Sequence, residues 1–488
     1  MISEVQASVN NLAHLLVQRG LYFVSCLLFA ALLPRLMGAE IFGQYALITS
    51  LSIWFVLFSN LGFSQIIGRH VPQMAVQETL EHVGKFFGNL LMLRLASGAL
   101  GAGLYLLLSF LWLRDLDRMV LVIMGGTIFI RAVSHLIFSL FLGLNQAGRW
   151  GMDETVRRWL WLILMVPGFY LGGLRGACLG MLLAEVAVLA LGLWWARPHF
   201  SWSNLRLNLG SMTPVLGFGL IFFAGDLIVS AFDHSGELMV RTVSKDYVQV
   251  GYFGLAYTVY LNCYVMLMTF TQAFVPLLGI LLAKEEREAI KVWVERLIKG
   301  LGMCGVVAVF AVLLIGEELV PLILGSAYRP VAANLVPMML TLVAQALSST
   351  GYVLALTFSR PGTALGAAGL KFAAFWALGP LFVHWWGSMG GCLAVLAATI
   401  LHAVYITWRM RAVTFYHLRD YALVAGLGGL LLPLVWLKSS WSLNLTLFAG
   451  FLLIYGMLLF LLKVISCEEI AAAWRVFKSP FRGGVAGC

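Results

Sequence analysis

The stretch "LLPRLMGAEIFGQYALITSLS", residues 32–52, interrupts a long apolar run and then lets it resume. Pro34, Arg35, Gly38, Glu40 and Gly43 follow one another closely. Proline lacks a backbone donor and glycine costs a helix interior conformational entropy, so the stretch reads as a turn between two apolar helices. The rest of the 488-residue chain supports that reading: 61% of residues are hydrophobic, 11% are charged, and mean hydropathy is +0.92. A soluble domain carries ~25% charge. A shortage this severe along the whole length means that most residues face lipid or other helices. Lipid offers the backbone no hydrogen bonds, which leaves helices or a closed barrel. Barrel strands alternate over ~10 residues, whereas apolar runs here reach the ~20 residues that cross a bilayer as helix. The fold class is therefore an all-α polytopic membrane protein.

Polar punctuation divides the chain into fourteen expected spans. They lie near residues 12–34, 43–67, 86–111, 119–143, 156–172, 176–196, 214–241, 249–282, 300–316, 332–358, 362–386, 389–408, 421–437 and 441–463. With the N-terminus inside, twenty of the 32 Lys and Arg fall in cytoplasmic segments, eight outside and four within spans. This positive-inside bias predicts two cytoplasmic termini. The net charge of +10 then serves topology and anionic lipid, not nucleic acid. "MISEVQASVNN" has no basic n-region and no small-residue cleavage site follows the first span, so no removed signal peptide is expected. Seven scattered cysteines, without metal-ligand spacing, read as small apolar fillers. Short external loops leave no room for the acceptor site of a membrane glycan polymerase or acyltransferase. There is no P-loop, nucleotide-binding glycine fingerprint, HExxH or Ser/His/Asp arrangement. No enzyme, metal or cofactor is expected. In "KEEREAIKVWVERLIKG", Ile290, Trp293, Val294, Leu297 and Ile298 recur at helical spacing opposite Lys291, Glu295 and Lys299, as in an interfacial helix.

An internal repeat emerges from the opening stretch. Gly43-Gln44-Tyr45 heads the second span, and Gly251-Tyr252-Phe253 heads the eighth. An even number of spans separates them, so the halves share one orientation, as in a parallel-repeat transporter. The expected organisation is an N-lobe over 1–196, a linker over 197–213, a C-lobe over 214–411, two further spans over 412–465, and a cytoplasmic tail over 466–488.

Ionisable groups within spans are costly and normally face a cavity or a partner. Arg19, Arg94, Arg131 and His135 in the first half, with Lys371 in the second, are the candidate substrate-binding residues. Arginine suits phosphate because its planar fork donates two parallel hydrogen bonds. The alternative for Arg19 and Arg94 is snorkelling toward the cytoplasmic surface. In the seventh span, Asp226, Asp233 and Glu237 are spaced to fall on one helical face, with Arg241 continuing the stripe. These acids would bind a coupling cation, contact sugar hydroxyls or pair with the arginines. Glu185 and Lys371 read as isolated charges.

These motifs resemble the polysaccharide transporter family. Arg35, Gly38, Glu40, Gly43, Tyr45, Gly62 and Arg69 occupy the positions of that family's first turn and second span, and Glu237, Val250, Gly251 and Phe253 those of its second half. Its Wzx-type members are lipid-linked oligosaccharide flippases of the MOP (multidrug/oligosaccharidyl-lipid/polysaccharide) exporter superfamily. Met37 and Phe253 depart from the usual Leu and Tyr. The resemblance implies fourteen helices in two pseudo-symmetric lobes. It further implies alternating-access transfer of an undecaprenyl-pyrophosphate-linked oligosaccharide to the periplasmic leaflet of a bacterial inner membrane. Surface glycans such as O-antigen lipopolysaccharide are built from such units. It implies phosphate recognition by Arg19 and Arg131, coupling to H+ or Na+, and partnership with a polymerase and a chain-length regulator. A drug or cation antiporter of the same superfamily is the alternative, motivated by the acids of the seventh span.

Overall fold

The computed structural model describes residues 2–464 except 78–79, 145, 200–214, 218, 221–222, 224–226, 229, 275–277, 280 and 283. The side chain of Arg19 and all of Asp226 lie outside the described residues. Every regular element described is a helix. In chain order these are α1 (Ile2–Phe58), α2 (Phe63–Gln77), α3 (Leu80–Trp112), α4 (Arg118–Gly143) and α5 (Ala147–Ala196). After them come α6 (Gly236–Ser244), α7 (Tyr247–Ala273), α8 (Arg287–Leu324), α9 (Arg329–Thr357), α10 (Pro361–Thr414), α11 (Arg419–Leu430) and α12 (Trp441–Leu461).

Among the described residues, ten helices are long and apolar enough to cross a membrane, and three of them are far too long to cross once. Each of the three turns at non-helical glycine. Gly38 (φ 73°, ψ 167°) divides α1, Gly172 with Gly173 divides α5, and Gly387 (φ 56°) divides α10. At Gly38, Gly173 and Gly387 φ is positive, a conformation that glycine enters without Cβ strain. The legs fold back: Phe29 and Tyr45 meet across the Gly38 turn with ring centroids 6.2 Å apart, and Gly168 abuts Gly176 across the Gly173 turn. The break in the opening stretch is thus sharper than the sequence suggested, since α-helix continues up to Gly38 and resumes directly after it.

The chain forms two compact units. The first comprises Met1–Asn262, Ile323–Val331 and Ala368–Ala394; the second comprises Cys263–Leu322, Ala332–Ala367 and Val395–Cys488. In the first, α2, α3, α4 and the end of α5 share a buried core, in which Phe138 and Phe141 both set ring edges against Trp195. Lipid is as apolar as leucine, so such helices associate through close packing and hydrogen bonds more than through hydrophobic burial.

In the second unit, Ile290, Val294 and Ile298 of α8 pack on Val353, Ile406, Met410 and Tyr416, the face that their spacing predicted. Lys291 pairs with Glu288 at 3.7 Å, Glu295 accepts the His417 N–H at 2.7 Å, and Lys299 donates to the Val464 carbonyl at 2.6 Å. Glu295 and the buried Lys299 therefore anchor the start of α8 to later segments, while Lys291 pairs within the helix. The thirteenth span is α-helical only to Leu430 and continues as a 3-10 helix over Leu432–Leu437, where Pro433 removes a donor. Phe310 of α8 stacks on Phe451 of α12 at 3.8 Å, and Asn444 donates to Glu318 at 2.7 Å.

Candidate functional site

All the site geometry below lies within the first unit. Its first part is a charged interior at the start of α5. "DETVRR" puts Asp153, Glu154, Arg157 and Arg158 on one and a half helical turns. Arg157 is fully buried and holds Asp153 at 2.6 Å, Glu154 at 2.8 Å and Glu185 at 3.0 Å. It also donates to Ser134 of α4 at 3.3 Å. Glu185, which looked isolated in sequence, is thus the partner of a residue 28 positions earlier. A buried guanidinium retains its charge only with such multiple acceptors. Arg157 and Arg158 read as cytoplasmic-segment charges in sequence, but their helix packs them into the bundle.

The neighbouring cations are held differently. Arg131, about one-fifth exposed, lies 3.6 Å from Glu154 and 5.5 Å from the Trp161 ring. Arg158 lies 5.1 Å from that same ring, 5.5 Å from Phe29 and 5.8 Å from Tyr22. Among the described residues it has no ion-pair partner, and its Nε is buried without an acceptor. Ring faces attract a cation but leave its N–H groups free. Two guanidinium groups therefore converge on one tryptophan; Glu154 interacts electrostatically with both, but of the two only Arg131 lies within ion-pair distance of it. His135 faces Ser64 at 3.4 Å. With Gln18, Tyr22, Trp150, Asp153 and Glu154 it lines a cavity of about 120 Å3.

Arg94 is not on a surface. Only 1% exposed, it donates from Nε to the Ala132 carbonyl at 2.7 Å and lies 6.0 Å from the Phe63 ring. That bond ties α3 to α4 and rules out the snorkelling alternative for this residue.

The second part lies where the second leg of α1 meets α6 and α7. Gly43 and Gly251, the glycines of the internal repeat, face each other. A Cβ on Gly43 would strike the Tyr247 carbonyl and lie 2.9 Å from the Gly251 nitrogen. A Cβ on Gly251 would lie 3.2 Å from the Gly43 nitrogen. The repeat is thus a contact as well as a signature, and glycine permits the backbone approach.

Two turns further, the seventh span is interrupted at His234 and Ser235. The expected single acidic face is therefore broken between Asp233 and Glu237. The break leaves the His234 carbonyl free of the helix, and α1 satisfies it. Ser50 Oγ donates to it at 2.7 Å and Trp54 Nε1 at 2.9 Å. Ser50 Oγ also lies 3.1 Å from Glu237 Oε2. Asp233 accepts the Tyr257 hydroxyl at 3.2 Å. Lys371 of α10 interacts electrostatically with Asp233 and sits 4.0 Å from the Phe232 ring, so it is not isolated either. Arg241 does not extend the acidic stripe: it pairs with Asp115 of the α3–α4 loop. In that loop Asp117 pairs with Arg175, whose hydrogen bond holds the carboxyl below the usual carboxylate range.

The chain shares its fold with solved structures that are distant in sequence. The chain matches the lipid II flippase MurJ in an inward closed conformation with a TM-score of 0.70 at 14% identity, covering 94% of this chain and 100% of that one. An inward-facing multidrug resistance MATE transporter of the MOP superfamily gives 0.63 at 14%, covering 83% and 95%. A MOP superfamily transporter from Pyrococcus furiosus gives 0.53 at 14%, covering 84% and 94%. No curated protein sequence matches the chain. Fold and apolar helices together define a multi-pass membrane protein with the fold of the MOP superfamily transporters. The family model described as "Polysaccharide biosynthesis protein" matches residues 8–282, more than half of the sequence. The chain belongs to that family.

Proposed function

We propose that this protein flips an undecaprenyl-pyrophosphate-linked oligosaccharide from the cytoplasmic to the periplasmic leaflet of a bacterial inner membrane, for surface polysaccharide assembly. The observation that carries the reading is that Arg131 and Arg158 both lie against the Trp161 ring, with Arg158 outside ion-pair distance of any carboxylate among the described residues. A half-buried guanidinium with a free N–H favours an arriving anion, and paired guanidinium groups fit a pyrophosphate. Arg19 and Lys371 would extend this cationic lining, with His135 at its edge. Arg94 would support it by fixing α4. Tyrosine and tryptophan faces would stack on sugar rings.

In this reading the lobes over 1–196 and 214–411 alternate about the Gly43–Gly251 contact, both termini are cytoplasmic, and H+ or Na+ drives the cycle through Asp226, Asp233 and Glu237. A polymerase and a chain-length regulator would receive the product. Deleting the gene should strip the cell of one surface glycan and leave its lipid-linked precursor on the cytoplasmic leaflet. Wild-type protein should restore the glycan and Arg158→Ala should not. An unchanged surface glycan, in a cell without a second flippase, overturns the proposal. Asp233 and Glu237 favour a second reading, a cation or drug antiporter; equal drug sensitivity with and without the protein removes it.

A further inference from the structure

The hydrogen-bond count around Ser50 assigns a proton. A serine hydroxyl has one hydrogen to give. Its shorter contact, 2.7 Å, is to the His234 carbonyl, which accepts only, and Trp54 donates to that same carbonyl at 2.9 Å. The remaining contact, 3.1 Å to Glu237 Oε2, is then satisfied when the carboxyl carries the hydrogen and Ser50 accepts it. Charge compensation agrees. Glu237 is 8% exposed and has no basic partner within 4.0 Å among the described residues, whereas Asp233 has Lys371 as an electrostatic partner and the Tyr257 hydroxyl as a donor. The Glu237 backbone N–H is a further donor to the carboxyl, but a carboxylate without a cation in this setting is still costlier than the neutral acid.

We propose that Glu237 is the proton carrier of the transport cycle: its protonated carboxyl donates to Ser50 and latches α1 onto α6, and loss of that proton releases the latch. On release the O–H bond of the Glu237 carboxyl breaks heterolytically, the proton passes to water, and a carboxylate remains that draws water between the helices. This inference rests on the transport reading and names its coupling ion. The titratable and charged groups around Glu237 are Tyr257 from α7, Lys371 from α10, and Asp233 and His234 from its own chain. Arg131 interacts electrostatically with His234, and Arg241, one turn along α6, is held by Asp115. From α1, Ser50 meets Glu237 and Trp54 meets the His234 carbonyl, and both are uncharged.

The test uses a cysteine-free full-length chain carrying Ala46→Cys, because Ala46 of α1 and the Glu237 carboxyl both lie against Gly254 of α7, which puts the cysteine beside the latch. Labelling by a membrane-impermeant maleimide, with rates corrected against a freely exposed cysteine, reports the latch without any substrate. The wild-type latch should label faster as pH rises, by up to tenfold per unit through the titration, as one-proton linkage requires. Glu237→Gln, which keeps a donor toward Ser50, should label slowly at every pH. Ser50→Ala should label faster at low pH than the otherwise wild-type chain. Labelling without pH dependence in the wild-type latch, or an unaltered pH profile in Glu237→Gln, overturns the proposal. Glycan flipping by Glu237→Gln at the full rate overturns it too and leaves the flippase reading intact. A pH-dependent latch in a protein that moves no glycan sinks the flippase reading alone.

Discussion

Gly43→Ala is the smallest change that tests the helix crossing on which both halves of the site depend. The added methyl group would meet backbone: the Tyr247 carbonyl, and the Gly251 nitrogen at 2.9 Å. Neither can rotate away as a side-chain end would, so the helices must separate. Inserting one carbon into well-packed structure costs about 1–3 kcal/mol. Against this, alanine stabilises a helix by about 0.5–1 kcal/mol relative to glycine. The net expectation is a loss of up to ~2 kcal/mol. Gly103→Ala supplies the control, since a Cβ there meets nothing within 4 Å and only the helical gain remains. Gly251→Ala should behave like Gly43→Ala. The double variant should lose less than the sum, because once the helices part the second methyl group has room. Reversible unfolding of purified protein in mixed micelles measures all four. The reasoning fails if Gly43→Ala and Gly103→Ala shift stability in the same direction by the same amount.

Further predictions concern the charges. Glu185→Ala leaves Arg157 short of one acceptor in a fully buried site and should cost about 3–5 kcal/mol in the same unfolding assay. Arg158→Lys should keep the fold yet lose most transport, since an ammonium cannot donate in parallel to a pyrophosphate; flipping rate and thermal midpoint separate the two. Lys438→Ala removes a partly exposed pair with Glu317 at 3.0 Å and should change stability by less than about 1 kcal/mol. The Arg175 hydrogen bond depresses the Asp117 carboxyl. Its stabilisation should therefore be complete above the unfolded carboxylate value near ~3.9 and fade only as pH falls through the lower folded value. Acid unfolding curves of Asp117→Asn and the wild type should diverge above that window and converge below it.

Much of the fold was legible because bilayer thickness and glycine turns leave a direct trace in sequence. Pro34 and Gly38 marked a hairpin, and the Gly43 and Gly251 heads marked a repeat that the structure brings into contact. The charged interior was harder to read. "WGMDETVRRWLW" is polar enough to pass for a loop, and its pairing with Glu185 joins different legs of α5, which no local period encodes. A signal was nonetheless present: Asp153 to Arg157 and Glu154 to Arg158 are both i,i+4, the spacing of a helical turn that neutralises itself. The break at His234 was hidden for another reason. Its cause is tertiary, namely that Ser50 and Trp54 satisfy the freed carbonyl, and the seventh span alone reads as continuous helix.

The central claim is movement of a lipid-linked glycan through a site that contains Arg131 and Arg158. Purified protein in proteoliposomes, loaded with a fluorescent undecaprenyl-pyrophosphate-linked sugar, tests it most directly through quenching of the outer-leaflet label. The account predicts quenching beyond the initially exposed fraction with wild-type protein, and quenching held at that fraction with Arg131→Ala/Arg158→Ala. Wild-type protein that quenches no more than empty vesicles, or a double variant that flips at the wild-type rate, would contradict it.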